Sequence, residues 1–550
     1  MSDRHTRHRA TLEKALDAIE SRIYWSPFPE HPKAYGEDAA AVGEAAFRAR
    51  LGAPFHLDEP HDGHLEVVER SPYGLELGIT YPRVSVDGIV AAARAAMPAW
   101  ARTGPDTRAE VCVGILDRLA AQSFEMAQAV MHTTGQSFLM AFQAGGPHAL
   151  DRGLEAVAYA YREQTRLPAR MTWEKPQGRR PPLVVEKEWM IRPRGVAVTI
   201  GVSTFPTWNG YPGIFASLAT GNPVVVKPHP ATILPLALFV ATARDVLAET
   251  GFDPDLVTLA VDTPEAPLAR ELVLHPDVAL VDYTGGPAFG DWLEEHVRHA
   301  LVFTEKAGVN SVVLDSAEDL GAVFRNLAVS MTMYSGQMCT TPQNLYVPRT
   351  GVRVGEEVVP FAAVARGFAD AVAGLLGDDA RAVEILGAIK SPDTLRRVEE
   401  ASRQGEVLLP ARRVTHPTYP EATVSTPVVV GVGAEDRDTY MREMFGPVVY
   451  VVATGSTAES LALATESART KGAITWLVYT TDETVAEAAV DAAVEAGVSV
   501  AFNLTGGLFV NQSAAFSDFH VTGANPAGNA SLTDPAFVAN RFRVVGVRRQ

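Results

Sequence analysis

From Gly195 onward the chain alternates short β-branched runs with helix-patterned stretches, and that alternation limits its fold more than any other feature. The runs "GVAVTIGV", "NPVVVKP", "LVTLAV" and "VALVDYTG" are separated by helical segments, and the last leads into "PAFGDWLEEHVRHA". Strands joined through helices lie parallel, and the helices cover both faces of a doubly wound sheet. A second series begins at "SVVLD" and continues through "NLYVP", "TPVVVGV", "GPVVYVVATG" and "ITWLVYT" to "VSVAFN". The reading is α/β, with two doubly wound domains meeting near residue 303. A chain of 550 residues is too long for one hydrophobic core, which agrees.

The first 170 or so residues differ, being Ala-rich and amphipathic, with helical spacing in "EDAAAVGEAAFRARLG", "GIVAAARAAMPAWART", "RAEVCVGILDRLAAQSFEMAQAVMHTTG" and "LDRGLEAVAYAYREQTRL". A β-like insert, "LEVVERSPYGLELGITYP", interrupts them. "PQGRRPPLVVEKEWMIRPRG" has a Gly/Pro turn before an apolar run, which predicts a hairpin arm leaving the body and suited to pairing with another subunit. The terminal "RFRVVGVRRQ" reads as a lone strand.

Composition narrows the partners. A net charge of -17 opposes general binding to nucleic acid or anionic membrane, so small molecules are expected. The charged start lacks a secretory apolar stretch and "LPLALFVATA" is too short to span a bilayer, so a cytoplasmic location is expected. Cys112 and Cys339, the only cysteines, form no CxxC pair or Cys/His cluster, so neither a disulfide nor a metal site is expected.

Parallel sheets bind ligands beyond the carboxyl ends of their strands. "YTGGPAFG" follows a strand and opens a helix, placing Gly285, Gly286 and Gly290 where phosphate can sit, although GxGxxG is absent. "VVVKPHP" ends another strand with Lys227, His229 and Pro230; Lys227 is either a solvated loop lysine or part of a dinucleotide site. Cys339, in "MYSGQMCTTPQ", sits in a Gly-broken loop between a helix and a strand, and is either a buried small hydrophobe or a nucleophile. Glu305 in "VFTEKAGVN" is either a helix-start glutamate or a general base across an interdomain cleft. Glu443 and Phe445 precede a Gly-Pro turn in "MREMFGPVVYVV".

In this order and at these separations the motifs resemble the aldehyde dehydrogenase superfamily. The residues that carry the resemblance are "GVAVTIGVSTFP" with "LATGNPVVVKP", "YTGGPAFG", the Glu of "TEKAG", "GQMC" and "EMFGPVV", and it extends from about Ser71 almost to the end. It implies that Cys339 is the catalytic thiol and Glu305 the general base. It implies further that Lys227 lies near the adenine ribose, Gly285 and Gly286 beneath the pyrophosphate, and Glu443 and Phe445 beside the nicotinamide ribose and ring. The implied organisation is a helical extension over 1–70, an NAD(P)-binding domain over 71–170 and 195–303, a catalytic domain over 304–530, and an oligomerisation arm and strand at 171–194 and 531–550. A homodimer or homotetramer follows.

The chain departs from the family at three points. Thr204 stands where an oxyanion-stabilising Asn is usual, with Asn209 five residues on; the second oxyanion donor is one or the other. Pro230 replaces the glutamate of many NAD-preferring members, which is compatible with NADP, and "KAGVN" follows Glu305 in place of the usual "LGGK". Within the superfamily the long helical N-terminus, "STFPTWN" and "SGQMCTTPQN" look most like PaaN-type proteins of phenylacetic acid degradation, which implies oxidation of a CoA-linked semialdehyde from ring cleavage. The alternatives are a CoA-acylating aldehyde dehydrogenase and a non-catalytic dinucleotide-binding homologue. A cysteine hydrolase is disfavoured, since no histidine has an evident pairing role.

Overall fold

The computed structural model describes residues 3–306, 308–511, 516 and 520–550. Its first parallel sheet runs in the order Val257–Leu259, Val224–Lys227, Val196–Ile200, Val278–Gly285, Leu301–Lys306, every pair parallel. The connecting helices Pro206–Ala219, Leu234–Glu249, Ala269–Leu274 and Pro287–His296 make it doubly wound. Strands Val196–Ile200 and Val224–Lys227 are buried along their whole length, as continuous Val/Ile runs require when both faces are covered. The strand order reverses between Val196–Ile200 and Val278–Gly285, and a crevice opens outside the strand ends at such a switch point.

The second sheet has seven strands, in the order Glu406–Leu409, Val428–Gly433, Val448–Thr454, Pro342–Pro348, Asn310–Leu314, Thr475–Tyr479, Ser499–Phe502. All are parallel except the antiparallel edge strand Glu406–Leu409. The α/β class read from the sequence is therefore the class of the fold. The chain crosses from one sheet to the other between Lys306 and Asn310.

Before the first sheet come the helices Asp3–Ser21, Ala39–Arg50, Val86–Arg102, Pro105–Ala120, Ser123–Thr134, Phe138–Gly145 and Pro147–Thr165. The long run from Arg108 to Gly135 is two helices broken at Ala121 and Gln122, where Ser123 bonds back to the Ala120 carbonyl. Arg170–Gln177 and Arg180–Pro193 form the projecting hairpin. The C-terminal strand Phe542–Arg549 pairs antiparallel with its longer arm in the same chain, from Phe542 opposite Pro193 to Arg549 opposite Glu186.

Just before that strand, Arg541 is fully buried and forks onto Asp282 at 2.6 and 2.7 Å, between the rings of Phe303 and Phe537. A buried guanidinium needs such a bidentate partner to offset desolvation. The pair fastens the chain end to the switch-point strand. Among the described residues no helix is long and apolar enough to cross a membrane.

Candidate active site

The loop that carries Cys339 is built on an unusual turn. Helix Leu320–Thr332 ends, and Tyr334, Ser335 and Gly336 follow with φ of 51°, 51° and 64°. Consecutive left-handed residues that are not glycine persist only where their surroundings hold them. The Tyr334 hydroxyl donates to the Thr134 carbonyl at 2.6 Å and Ser335 Oγ to the Leu386 carbonyl at 3.0 Å. Gln337 Nε2 donates to the carbonyls of Tyr334 and Ala388, while its Oε1 accepts from Lys390 N–H.

Cys339 emerges from this turn partly exposed. Its carbonyl accepts from Asn310 Nδ2 at 2.6 Å, and the same amide reaches the Thr341 carbonyl at 3.1 Å. Asn310 Oδ1 in turn accepts from the backbone N–H groups of Ile474 and Thr475. One side chain at the start of a central strand thus ties the loop to the next strand of the sheet. Cys112, by contrast, is wholly buried, and burial pushes its thiol up to about 12.

Glu305 is on strand Leu301–Lys306, at the edge of the first sheet, not at a helix start. Its Oε1 accepts from Asn209 Nδ2 at 2.7 Å and lies 2.6 Å from His520 Nε2. The same His520 nitrogen is 3.9 Å from Cys339 Sγ. Burial alone would lower the basicity of His520, but the charges of Glu305 and Cys339 and their hydrogen bonds outweigh it and push the imidazole to about 10. The ring meets Trp208 edge-on at 4.7 Å, and the Arg152 guanidinium lies over Trp208, also at 4.7 Å.

Cys339, Asn209 and His520 line a cavity of about 730 Å³. Its walls include Met140, Met333, Met338, Phe205, Trp208 and Phe28. Tyr24, Ser26 and Glu30, from the N-terminal segment, also line it. They are held there by Ser26 Oγ donating to Asp151 at 2.7 Å and by Glu30 against His148 at 3.0 Å. Asp151 is held well above the usual carboxylate range by burial, despite the Ser26 bond. Thr204 is not among the residues lining this cavity; its carbonyl accepts from Gln136 Nε2.

The family-model match settles the lineage. Residues 78–517 match the model of the aldehyde dehydrogenase family. The chain belongs to the aldehyde dehydrogenase family. As a member it is an oxidoreductase of the NAD(P)-using class that acts on aldehydes. It is 54% identical to an NAD-dependent aldehyde dehydrogenase from Burkholderia multivorans of known crystal structure, with a TM-score of 0.98 over 100% of this chain and 99% of that one. N-succinylglutamate 5-semialdehyde dehydrogenase of Chromobacterium violaceum is 27% identical over 70% of this chain and 74% of its own length. Betaine aldehyde dehydrogenase of Sinorhizobium fredii is 26% identical over 74% and 79%. A Thermus 1-pyrroline-5-carboxylate dehydrogenase solved with bound NAD, at 18% identity and a TM-score of 0.70, shares the fold.

At the switch point of the first sheet of this aldehyde dehydrogenase, Gly285 closes a strand and Gly286 caps the ten-residue helix Pro287–His296. A Cβ placed on Gly286 meets nothing within 4 Å, so the helix N-terminus faces open space that a pyrophosphate fits. Gly290 serves packing, since a Cβ there would fall 2.5 Å from the Lys306 side chain. Lys227 is buried, not solvated, and is paired with Asp262 at 2.5 Å. His229 is pushed down to about 4 by burial and by the charges of Lys227 and Lys390, and its Nδ1 accepts from Ala231 N–H. Pro230 forms the turn between His229 and Thr232.

Glu443 and Phe445 lie beside the Cys339 loop: Met444 N–H donates to Gln343 Oε1, and Arg397 donates to the Phe445 carbonyl. Burial raises Glu443 to about 7, against the lowering charge of Arg397. In "KAGVN", Lys306 is buried and paired with Asp291 and Glu294, while Ala307 lies outside the described residues.

Sequence reasoning missed His520, 181 positions from Cys339 in a stretch without periodicity. It also missed Asp262, Trp208 and the Tyr24–Glu30 wall. The one available signal for Asp262 was a carboxylate just after the third strand of a dinucleotide-type sheet.

Proposed function

We propose that this aldehyde dehydrogenase oxidises an aldehyde to a carboxylic acid through a thioacyl intermediate on Cys339, with NAD preferred over NADP. The observation that carries the reading is that Cys339, Asn209 and His520 line one cavity while Asn209 and His520 both bond to Glu305 Oε1. Cys339 attacks the carbonyl carbon, and the oxyanion is met by its own backbone N–H and by the Asn209 N–H not spent on Glu305. Thr204, away from the cavity, is the weaker of the two candidate donors. Both bonds to Glu305 fall on Oε1, so Oε2 takes the proton of the water that hydrolyses the thioester. That arrangement favours hydrolysis over acylation of free CoA.

NAD, when bound, accepts the hydride. Gly285 and Gly286 would hold its pyrophosphate, Lys227 its adenine ribose, and Glu443 and Phe445 its nicotinamide half. The positive charge of Lys227 is already met by Asp262 and His229 is neutral, so neither offers a free cation to a 2'-phosphate. The relative from Burkholderia multivorans is NAD-dependent, which supports the same choice.

The cavity suits an aldehyde on an extended, mostly apolar body. The specific candidate is the CoA-linked semialdehyde of PaaN-type ring cleavage, handled in the cytoplasm. A second reading, the free aldehyde, is favoured by the acidic Glu30 and Glu384 on the cavity lining, which oppose the phosphates of CoA. Exposed Met171, Leu183, Val184, Met190, Val544 and Val545 on the arm sheet support assembly as a homodimer or homotetramer.

The test is NADH and NADPH formation with a CoA-linked medium-chain semialdehyde, the free medium-chain aldehyde and acetaldehyde, in the native protein and Cys339→Ala. NADH formation lost in Cys339→Ala is expected. Turnover surviving that substitution, or dinucleotide binding with no reduction on any aldehyde, would refute the reading.

A further inference from the structure

Three groups whose donor atoms all lie within 4.8 Å of one another meet at the centre of the site: Glu305, Cys339 and His520. A thiolate and a carboxylate that close repel, and each raises the other's affinity for a proton. A carboxylate so close works against the negative charge that an attacking thiolate carries. His520 changes that, because one of its nitrogens faces both anions, at 2.6 Å from Glu305 Oε1 and 3.9 Å from Cys339 Sγ. Its side chain is only 7% exposed, so water screens little of this.

We infer that His520 is a catalytic imidazolium that keeps Cys339 as a thiolate beside Glu305, and that it is this chain's own answer to a site with a carboxylate within reach of its nucleophile. The inference rests on Cys339 being the nucleophile.

The proton balance is simple. In the resting enzyme the thiol proton resides on His520 Nε2, giving thiolate, imidazolium and carboxylate with a net charge of minus one. Attack forms the C–S bond and moves the negative charge to the carbonyl oxygen, still close to the imidazolium. Once the oxyanion has collapsed to the thioester with loss of hydride to NAD, water breaks the C–S bond, its proton passes through Glu305 to solvent, and the thiolate leaves beside the same cation. His520 ends as it began. A single nitrogen faces both partners, so the imidazolium is a cation that Glu305 and Cys339 share.

The charged groups that face His520 among the described residues are Glu305 on strand Leu301–Lys306, Cys339 on its loop and, across Trp208, Arg152 on helix Pro147–Thr165 with Glu155 at 3.6 Å from it. The raised basicity of His520 agrees with the geometry.

The experiment is the rate of Cys339 alkylation by iodoacetamide from pH 5 to 10, read by peptide mass spectrometry on the full chain with a chelator present. The chelator excludes zinc, for which thiol, imidazole and carboxylate are ordinary ligands. Buried Cys112 reports folding in each variant, because it reacts only if the chain opens. The native protein should alkylate at a rate that stays level down to about pH 6, well under the free-thiol midpoint of about 8.5. His520→Gln should lose at least about tenfold in rate at pH 6 and titrate above about 8.5, since Glu305 then faces the thiolate unshielded. Adding Glu305→Gln to His520→Gln should bring that midpoint back toward the free value.

A native midpoint at or above the free-thiol value would overturn the inference without any variant. So would a folded His520→Gln protein whose profile superimposes on the native one. Neither readout uses turnover, so these failures are distinct from activity surviving Cys339→Ala, which removes the nucleophile itself.

Discussion

Gly336 faces the Gly446 carbonyl so closely that a Cβ on Gly336 would come within 2.3 Å of the oxygen. The contact joins the turn that presents Cys339 to the turn that carries Glu443 and Phe445, so the two turns share one backbone seam. Gly336 also has φ of 64°. Gly336→Ala therefore has to adopt a left-handed conformation and push two turns apart. The left-handed term alone costs about 1–2 kcal/mol, and a lower Tm together with a fall in kcat of at least about tenfold is expected. Native-like values of both would show that the seam tolerates spreading.

The two cysteines should behave oppositely. Cys112, with its thiol pushed up to about 12 by burial, should stay unmodified under conditions that alkylate Cys339 completely. Cys112→Ala should leave kcat within about twofold, whereas Cys339→Ala should remove turnover. Inactivation tracking Cys112 modification would reverse the assignment.

Glu443 supplies a pH dependence. Its carboxyl is raised to about 7, so it is neutral at pH 6 and ionised at pH 8. Only the carboxylate accepts strongly from ribose hydroxyls, so KM for NAD should fall severalfold, about threefold to tenfold, from pH 6 to pH 8. Glu443→Gln should flatten that slope at a higher KM. A slope that persists in the variant would place its origin elsewhere.

The N-terminal wall should act on substrate length. Phe28 is 5% exposed and Tyr24 reaches the surface, and both line the cavity. Phe28→Ala should raise KM about tenfold for a medium-chain aldehyde and change kcat/KM for acetaldehyde little, because removing an aromatic contact costs about 1.5–3 kcal/mol only where a substrate uses it. Equal losses on both aldehydes would point to a general loosening of the fold.

Local pattern carried much of this architecture. Buried Val/Ile runs between helices announce parallel strands, and Ser-Gly before Cys339 announces a break in a helix. What local pattern cannot carry is pairing across long separations. His520 is one histidine among 14, and its meaning comes from a carboxylate 215 positions and a thiol 181 positions away. Lys227 reads as a loop lysine until Asp262 is seen against it. Asn209 was legible as an amide near the site, but its bond to Glu305 was not. The terminal strand was legible as a strand, and its partner within the same chain was not.

The site draws on Tyr24 and Phe28 near the start of the chain and on His520 near its end. During synthesis Tyr24 and Phe28 of the cavity wall emerge long before the imidazole that completes the cluster. Contacts so distant along the chain form late, at the cost of closing very long loops. The cluster of Cys339, Glu305 and His520 therefore assembles only after the residues of the cavity wall have been made.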